Sequence, residues 1–347
     1  MEQKIYNEYV EILKEELLPA MGCTEPIAVA YAAAVAVQAL GEKPESVEVN
    51  VSANIIKNVK SVVVPCTGGL RGIGAAVCAG IVAGCPEKEL EILEEITGEK
   101  VEMKKMLDTM PMTIRESDKE YIFDIQIKAC AGGHSGYVEI AGFHTNVICV
   151  KKDDEIIREK AYEEQGSSCA TDRSLLTVEK IIEFADCVDV ADVEEVLQRQ
   201  IDYNWAIAEE GMTGNWGAAI GKTLMEAYGN SVHNRAKAMA AAGSDARMNG
   251  CELPVVINSG SGNQGMTTSL PVIVYAKELN VSKEMMLRAL VVSNLITIHM
   301  KTGIGRLSAY CGAISAGCGS GAGIAYLMGD GYEVIAHTLV NSLAIVS

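Results

Sequence analysis

The stretch MGCTEPIAVAYAAAVAVQAL, residues 21–40, sets one cysteine before Thr-Glu-Pro and a run of small apolar residues. Thr24, Glu25 and Pro26 suit a helix start, where the helix dipole favours a carboxylate and proline needs no donor. Residues 26–40 are apolar on nearly every side, which predicts a centrally buried helix that ends at Gly41. A thiol at the start of such a helix is a candidate for chemistry.

The hydrophobic periodicity changes twice along the chain. Residues 2–18 have helical spacing, SVEVNVSANI from residue 46 alternates like a strand, and residues 121–150 form the clearest β region. After Thr171 the pattern is mostly helical, and the last residues, GYEVIAHTLVNSLAIVS, are helical without a stop signal. We expect an α+β fold: a mostly helical catalytic domain of residues 1–44 and 171–347, with a smaller α+β domain, residues 45–170, inserted.

Composition excludes several classes of protein. The 347 residues carry a formal net charge of -17, which repels phosphate backbones and argues against a nucleic-acid partner. The acidic, amphipathic start lacks the pattern of a signal peptide, and eleven cysteines make an odd count. Reduced thiols and a cytoplasmic location are therefore expected, with no disulfide framework.

Residues 307–328 contain no charge and are long enough to cross a bilayer. They are rich in glycine, serine and alanine, whose insertion energy is poor, so we expect a helix buried in protein and no membrane partner. Such small-residue faces pack within a chain or between chains, which leaves a homodimer open.

Three segments combine glycines with a helix start: GCTEP, INSGSGNQG at 257–265 and CGAISAGCGSGAG at 311–323. Free amides at a helix start favour an anion such as a carboxylate, although a glycine-rich turn between helices fits the pattern equally well. Cys311 and Cys318 are two helical turns apart, too far for one zinc ion. Cys318 precedes a predicted glycine break, where its thiol could point into a cavity. No CxxC pair occurs, so a metal site would have to gather distant cysteines.

Six motifs in order, GCTEPIAVAYAAA, SANIIKN, VPCTGGLRG, GFHTN, SGSGNQGMTTSLPV and SAGCGSGAG, give the chain a family resemblance. Together they resemble the L-cysteine desulfidase, or serine dehydratase alpha-chain-like, family. The resemblance implies β-elimination of a small amino-acid substrate, L-cysteine, to hydrogen sulfide, ammonia and pyruvate at an open-site [4Fe-4S] cluster. Carried over by motif, the cluster ligands are Cys23 and Cys318.

The same motifs supply the other candidate residues. The INSGSGNQG segment resembles the one that lines the substrate pocket, and the residues after Cys23 join it. The expected substrate-binding residues are Thr24, Glu25, Ser261, Asn263, Gln264 and Gly265. The base that accepts the Cα proton is expected to be Lys57 of ANIIKN or His144 of GFHTN.

The chain departs from the family at its end. The family normally continues with a section that carries further cysteines, including the third ligand, so the chain is expected to lack part of the ligand set. An L-serine dehydratase-type lyase and a cluster-free protein that binds a small amino acid therefore remain alternatives to the cysteine desulfidase.

Overall fold

A computed structural model of the protein describes residues 1–96, 98–162, 171–302 and 312–345. These residues form thirteen α-helices, which are α1 (Gln3–Glu16), α2 (Thr24–Leu40), α3 (Ala53–Val59), α4 (Gly72–Ala83), α5 (Lys100–Thr109), α6 (Val178–Cys187), α7 (Ala191–Thr213), α8 (Ile220–Tyr228), α9 (Val232–Met248), α10 (Gly262–Glu278), α11 (Lys283–Thr302), α12 (Ala313–Leu327) and α13 (Tyr332–Ala344). Two 3-10 helices cover Pro86–Glu95 and Arg173–Leu175.

The described residues also form eight strands. They are β1 (Pro19–Met21), β2 (Ser46–Val51), β3 (Met112–Glu116), β4 (Asp124–Ala131), β5 (His134–Ala141), β6 (Val147–Lys152), β7 (Glu155–Glu159) and β8 (Pro254–Val256). Of these, β3–β7 follow one another along the chain without an intervening helix. The predicted α+β class is confirmed.

The chain divides into two compact units. The helical unit comprises Met1–Pro19, Cys169–Asn249 and Leu253–Ser347, and the sheet unit comprises Ala20–Ser168 and Gly250–Glu252, as far as these ranges are described. Helix α2 belongs to the sheet unit, so the first segment of the helical unit ends at Pro19 and not near residue 44 as expected. The reason is packing, since α2 lies against β4 and β5.

The sheet unit is built on a six-stranded sheet in the order β3-β2-β4-β5-β6-β7. Only the pair β2 and β3 of this sheet is parallel, and the β4–β5 hairpin turns at Gly132 and Gly133, within the β region expected at 121–150. The buried helix α2 meets the sheet closely, because a Cβ built on Gly136 of β5 would lie 2.1 Å from the Ala36 carbonyl oxygen. The run 26–40 therefore covers the sheet, as its all-round apolar character requires.

The helical unit packs α1, α6, α7 and α10–α13 around one apolar core. Tyr9 and Phe184 are fully buried there, with their rings edge to face at 5.3 Å. Among the residues that the structure describes, none of the helices combines the length and apolarity of a membrane span.

Two local predictions need correction. The strand SVEVNVSANI is shorter, because β2 ends at Val51 and residues from Ala53 form α3. The predicted glycine break after Cys318 is absent, because α12 continues from Ala313 to Leu327. Helix α10 begins at Gly262, within the glycine segment, since Ser261 caps it by accepting a hydrogen bond from the Gln264 amide.

The continuity of α12 has a packing cause. A Cβ on Gly319 would lie 2.0 Å from Thr297 Oγ1, and one on Gly323 would lie 2.9 Å from the Ala289 carbonyl oxygen. These glycines let α12 approach α11 closely, so here they serve helix packing and do not interrupt the helix.

Gly80 gives a direct stability test of the sheet unit. A Cβ at this position of α4 would lie 1.9 Å from the Ala30 carbonyl oxygen of α2. Gly80→Ala should lower the free energy of unfolding by about 1–3 kcal/mol, because two backbones must separate. Urea denaturation measures the change. Gly98→Ala is the matched control, since a Cβ there meets nothing within 4 Å. Equal stability of the two variants would contradict the packing of α2 on α4.

Candidate functional site

The start of α2 gathers Cys23, Thr24 and Glu25. Cys23 is the N-cap residue, and its Sγ lies 3.1 Å from Glu25 Oε2, which also accepts a hydrogen bond from the Thr24 hydroxyl at 3.2 Å. Asn58 of α3 donates to Glu25 Oε1 at 3.2 Å. The Glu25 carboxylate therefore organises a small polar cluster where the helix dipole favours negative charge.

Gly22 and Pro65 explain why the chain turns sharply before Cys23. Gly22 has φ +64°, and a Cβ there would lie 2.2 Å from Pro65 Cγ. Only glycine fits both the left-handed backbone and the close contact. The motifs GCTEP and VPCTGG are thus neighbours in space, and Cys66 Sγ lies 3.9 Å from Met21 Sδ.

The two predicted base candidates lie elsewhere in the sheet unit. Lys57 is exposed on α3, and it is the neighbouring Asn58 whose side chain reaches Glu25. His144 is 8% exposed, and its ring packs edge to face on Phe123 with centroids 4.9 Å apart. Both assignments stay predictions.

The INSGSGNQG segment forms the turn before α10 in the helical unit. Ser259 and Gly260 adopt positive φ, and Asn258 and Ser261 exchange backbone hydrogen bonds at 3.1 and 3.2 Å. Gly265 packs so closely that a Cβ would lie 2.1 Å from the Val256 carbonyl oxygen. The predicted residues Ser261, Asn263, Gln264 and Gly265 thus share the first turn of one helix, whose leading amides have no intrahelical acceptor.

Beneath this turn lies a set of buried polar side chains, here called the amide network: Gln200, Asn204, Asn258, Gln264, Ser269 and Asn294. Asn294 of α11 exchanges two hydrogen bonds with Gln200 of α7, at 3.0 and 2.8 Å. Its Oδ1 also accepts from Asn258 Nδ2 at 3.0 Å. The network joins α7, α10 and α11 through directional bonds that fix their mutual positions.

The turn is attached to the network through Asn258 and Gln264. Asn258 Oδ1 accepts from the Ser259 hydroxyl at 2.9 Å and from Gln264 Nε2 at 3.2 Å. Gln264 Oε1 is buried and accepts no hydrogen bond from the described residues, and a Cβ on Gly312 would lie 2.0 Å from it. The first turn of α10 is therefore held in place before any ligand binds.

Arg247 near the end of α9 is a residue that the sequence did not single out. It is 2% exposed, and its Nη1 donates to Asn263 Oδ1 at 2.9 Å. A Cβ on Gly262 would lie 2.4 Å from Arg247 Nε, so the guanidinium covers the first residue of α10. No motif around MNGCELP distinguishes this arginine in sequence from an exposed one.

Comparison with known proteins identifies the family. The family described as serine dehydratase alpha chain matches residues 87–347. The chain belongs to the serine dehydratase alpha-chain family. A UPF0597 protein of Desulfitobacterium hafniense is 58% identical over 100% of this chain and 81% of its own length. UPF0597 proteins of Lachnoclostridium phytofermentans and Treponema denticola are 50% and 44% identical, over 99% and 100% of this chain and 82% of each relative. Membership implies lyase-type activity at a coarse level.

The iron–sulfur chemistry associated with the serine dehydratase family requires cysteine ligands, and Cys318 does not have the surroundings of one. It is fully buried in the apolar core of the helical unit. Burial raises the pKa of its thiol, against the opposing effect of a hydrogen bond with Ser342, whereas a metal ligand is a thiolate. Cys311 lies outside the described residues.

Cys23 fits a ligand role better, because it begins a helix and its thiol meets a polar cluster. Within the part of the chain that the structure describes, however, no three His, Cys, Asp or Glu side chains come together as a metal site. The described residues by themselves therefore do not supply the site of a [4Fe-4S] cluster, which stays a prediction with Cys23 and Cys318 as its proposed ligands.

A cavity of about 350 Å³ lies among α7, α8, α9 and α10. Its lining residues are Trp205, Met212, Met225, Arg235, Ala238, Met239, Val274, Lys277 and Glu278. None of the residues expected to bind substrate or metal is among them. The first turn of α10, which carries four of these predicted residues, is therefore the candidate site, and its role stays a prediction.

The amide network yields a test by a double-mutant cycle. Asn294→Leu removes the side-chain partner of Gln200 and of Asn258. It should lower the free energy of unfolding by about 1–3 kcal/mol for each of these two buried amides. Gln200→Leu combined with Asn294→Leu should be less destabilised than the sum of the two single variants, because the exchanged pair is removed together. Urea denaturation of all four proteins gives the coupling energy. Strictly additive effects would show that Gln200 and Asn294 do not interact as described.

Proposed function

We propose that the chain is a lyase that removes the β-substituent of a small L-amino acid, with L-cysteine as the first substrate and L-serine as the second. The observation that carries this proposal is the rigid first turn of α10. The amides of Gly262 and Asn263 lie there at the positive end of a 17-residue helix held by buried side chains. Such a turn suits the carboxylate shared by all amino acids.

The proposed reaction balances without a further oxidant or reductant. A base removes the Cα proton, the electrons of that bond form the Cα–Cβ double bond, and the Cβ–S bond breaks to release hydrosulfide. Water then hydrolyses the resulting aminoacrylate to pyruvate and ammonium. L-Serine would lose its hydroxyl group in the same way. This chain would supply the carboxylate site and the base.

The remaining predicted residues belong to the sheet unit. Its Glu25 carboxylate is half-buried and accepts hydrogen bonds from Thr24 and Asn58, and Thr24 and Glu25 stay predicted substrate contacts. For the base we favour His144 over Lys57, since an imidazole exchanges protons near neutral pH. Cys23 is the proposed cluster ligand of this unit.

A second candidate function rests on Cys318. Because its thiol is fully buried within the apolar core of the helical unit, a protein that binds a small amino acid without a cluster is compatible with the same helix start. The two functions differ in one outcome: binding without turnover supports the second and contradicts the first.

The first experiment separates these functions by product. After anaerobic incubation with iron and sulfide and removal of the excess, we expect L-cysteine to give sulfide and pyruvate in equal amounts. Pyruvate from L-serine alone would favour the dehydratase. Calorimetric binding of either amino acid without any product would favour the binding protein. If the protein neither binds these amino acids nor forms product from them, the proposal is rejected.

Cys23 provides the accompanying variant test. Cys23→Ala should abolish iron retention and product formation, because the thiolate at the start of α2 is removed. Cys187→Ala is the control, since Cys187 is an exposed thiol at the end of α6. Iron content and pyruvate formation are measured for both. Full activity in Cys23→Ala would remove this residue from the proposed site.

A further inference from the structure

Arg247 is the most deeply buried arginine among the described residues of the helical unit, and like the half-buried Arg199 it has no ion pair there and a buried Nε without a partner. Arg173 pairs with Glu15 and Glu16, and Arg288 pairs with Glu284. Arg247 is more deeply buried than either, yet no carboxylate of the described residues lies within ion-pair distance of it. A charge buried without a counter-ion is costly, so its retention needs a reason.

The neighbours of the guanidinium do not neutralise it. Its Nη1 donates to Asn263 Oδ1 and contacts Met248 Sδ at 3.7 Å, and its Nε is buried with no acceptor in the part of the chain that the structure describes. The nearest acid on α9, Asp245, instead accepts from the Ile220 amide at 2.7 Å and caps α8. The cation therefore keeps one buried donor, its Nε, without an acceptor among the described residues.

The position of Arg247 adds to this imbalance. The guanidinium lies against Gly262, the first residue of α10, where the helix dipole is positive and the leading amides lack intrahelical acceptors. Two positive groups thus lie next to each other at Gly262. Gly262 has no side chain that could separate them, and its Cβ would meet both Nε at 2.4 Å and Cζ at 2.7 Å.

We propose that Arg247 and the amides of Gly262 and Asn263 together form a binding site for one carboxylate. The planar fork of an arginine matches a carboxylate with two parallel hydrogen bonds, and helix amides supply donors from a second direction. Resting on the proposed function, this carboxylate is that of the substrate amino acid, and Arg247 makes a free α-carboxylate a requirement for binding.

Thermal unfolding and calorimetry test the site with L-alanine, which has no leaving group and cannot be turned over. In a low-salt buffer without added carboxylates, Arg247→Met should raise the melting temperature by roughly 2 °C or more, since a buried uncompensated charge is removed. The same variant should bind L-alanine roughly 30-fold or more weakly, because a buried charge partner of the carboxylate is lost. L-Alaninamide should bind neither protein.

Arg235→Met is the matched control. Arg235 lies on the same helix, pairs with Glu278 and bonds to Asn230 at its carbonyl and side-chain oxygens. Its replacement should not raise the melting temperature and should leave L-alanine affinity unchanged. Should Arg247→Met fail to fold, Gly262→Ala gives a second test, because its Cβ displaces the guanidinium from the helix start; weaker L-alanine binding is again expected.

The outcomes separate the site from the proposed function. If acetate stabilises the unaltered protein but not Arg247→Met, while no amino acid is turned over, the carboxylate site stands and the proposed lyase function fails. If Arg247→Met lowers the melting temperature and binds L-alanine with unchanged affinity, the carboxylate site is refuted, whatever the activity.

Discussion

The buried side chain of Asn294 connects α11 by hydrogen bonds to α7 and to the turn before α10. It exchanges hydrogen bonds with Gln200 of α7 and accepts another from Asn258. The Asn258 side-chain oxygen in turn accepts a hydrogen bond from Gln264 Nε2 of α10. All four residues are buried, so each would lose far more by separating than an exposed amide would. This constraint fixes the first turn of α10, and the proposed carboxylate site depends on that position.

A second consequence concerns Arg247. Because Asn263 and Gly262 are set in place by the turn, the guanidinium packed against them cannot move freely towards solvent. A preorganised pair of positive groups binds an anion without the cost of assembling the site at that moment. In a chain of net charge -17, local positive potential must come from such specific placement rather than from overall charge.

Much of the architecture could be predicted because it follows from periodicity. The apolar run at 26–40 and the alternating β region near 121–150 are strong local signals, and α2 and the β4–β5 hairpin match them. The placement of α2 on the sheet could not be predicted, because an all-apolar helix shows that it is buried but not what buries it. The glycines of α12 misled for a related reason: close helix packing and a helix break use the same residue type.

The sequence predicted only those parts of the candidate site that a local motif indicates. SGSGNQG indicated a helix start, and Ser261 does cap α10. Gln200, Asn204 and Asn294 lie in ordinary helical sequence, and their roles depend on contacts between residues up to 94 positions apart. Arg247 is likewise defined by its missing partner, a property that exists only in three dimensions. The predicted cluster ligands Cys23 and Cys318 came from the family resemblance alone. The burial of Cys318 in the apolar core shows that a motif match does not predict the surroundings of the matched residue.

The most direct measurement of the central claim is an NMR titration of ¹⁵N-labelled protein with L-alanine, following the backbone amides at the start of α10. We expect the Gly262 and Asn263 resonances to shift progressively to saturation, while those of the last turn of α10, near Lys277, stay unchanged. Saturable shifts that leave Gly262 and Asn263 unaffected would place the amino acid elsewhere and contradict the account.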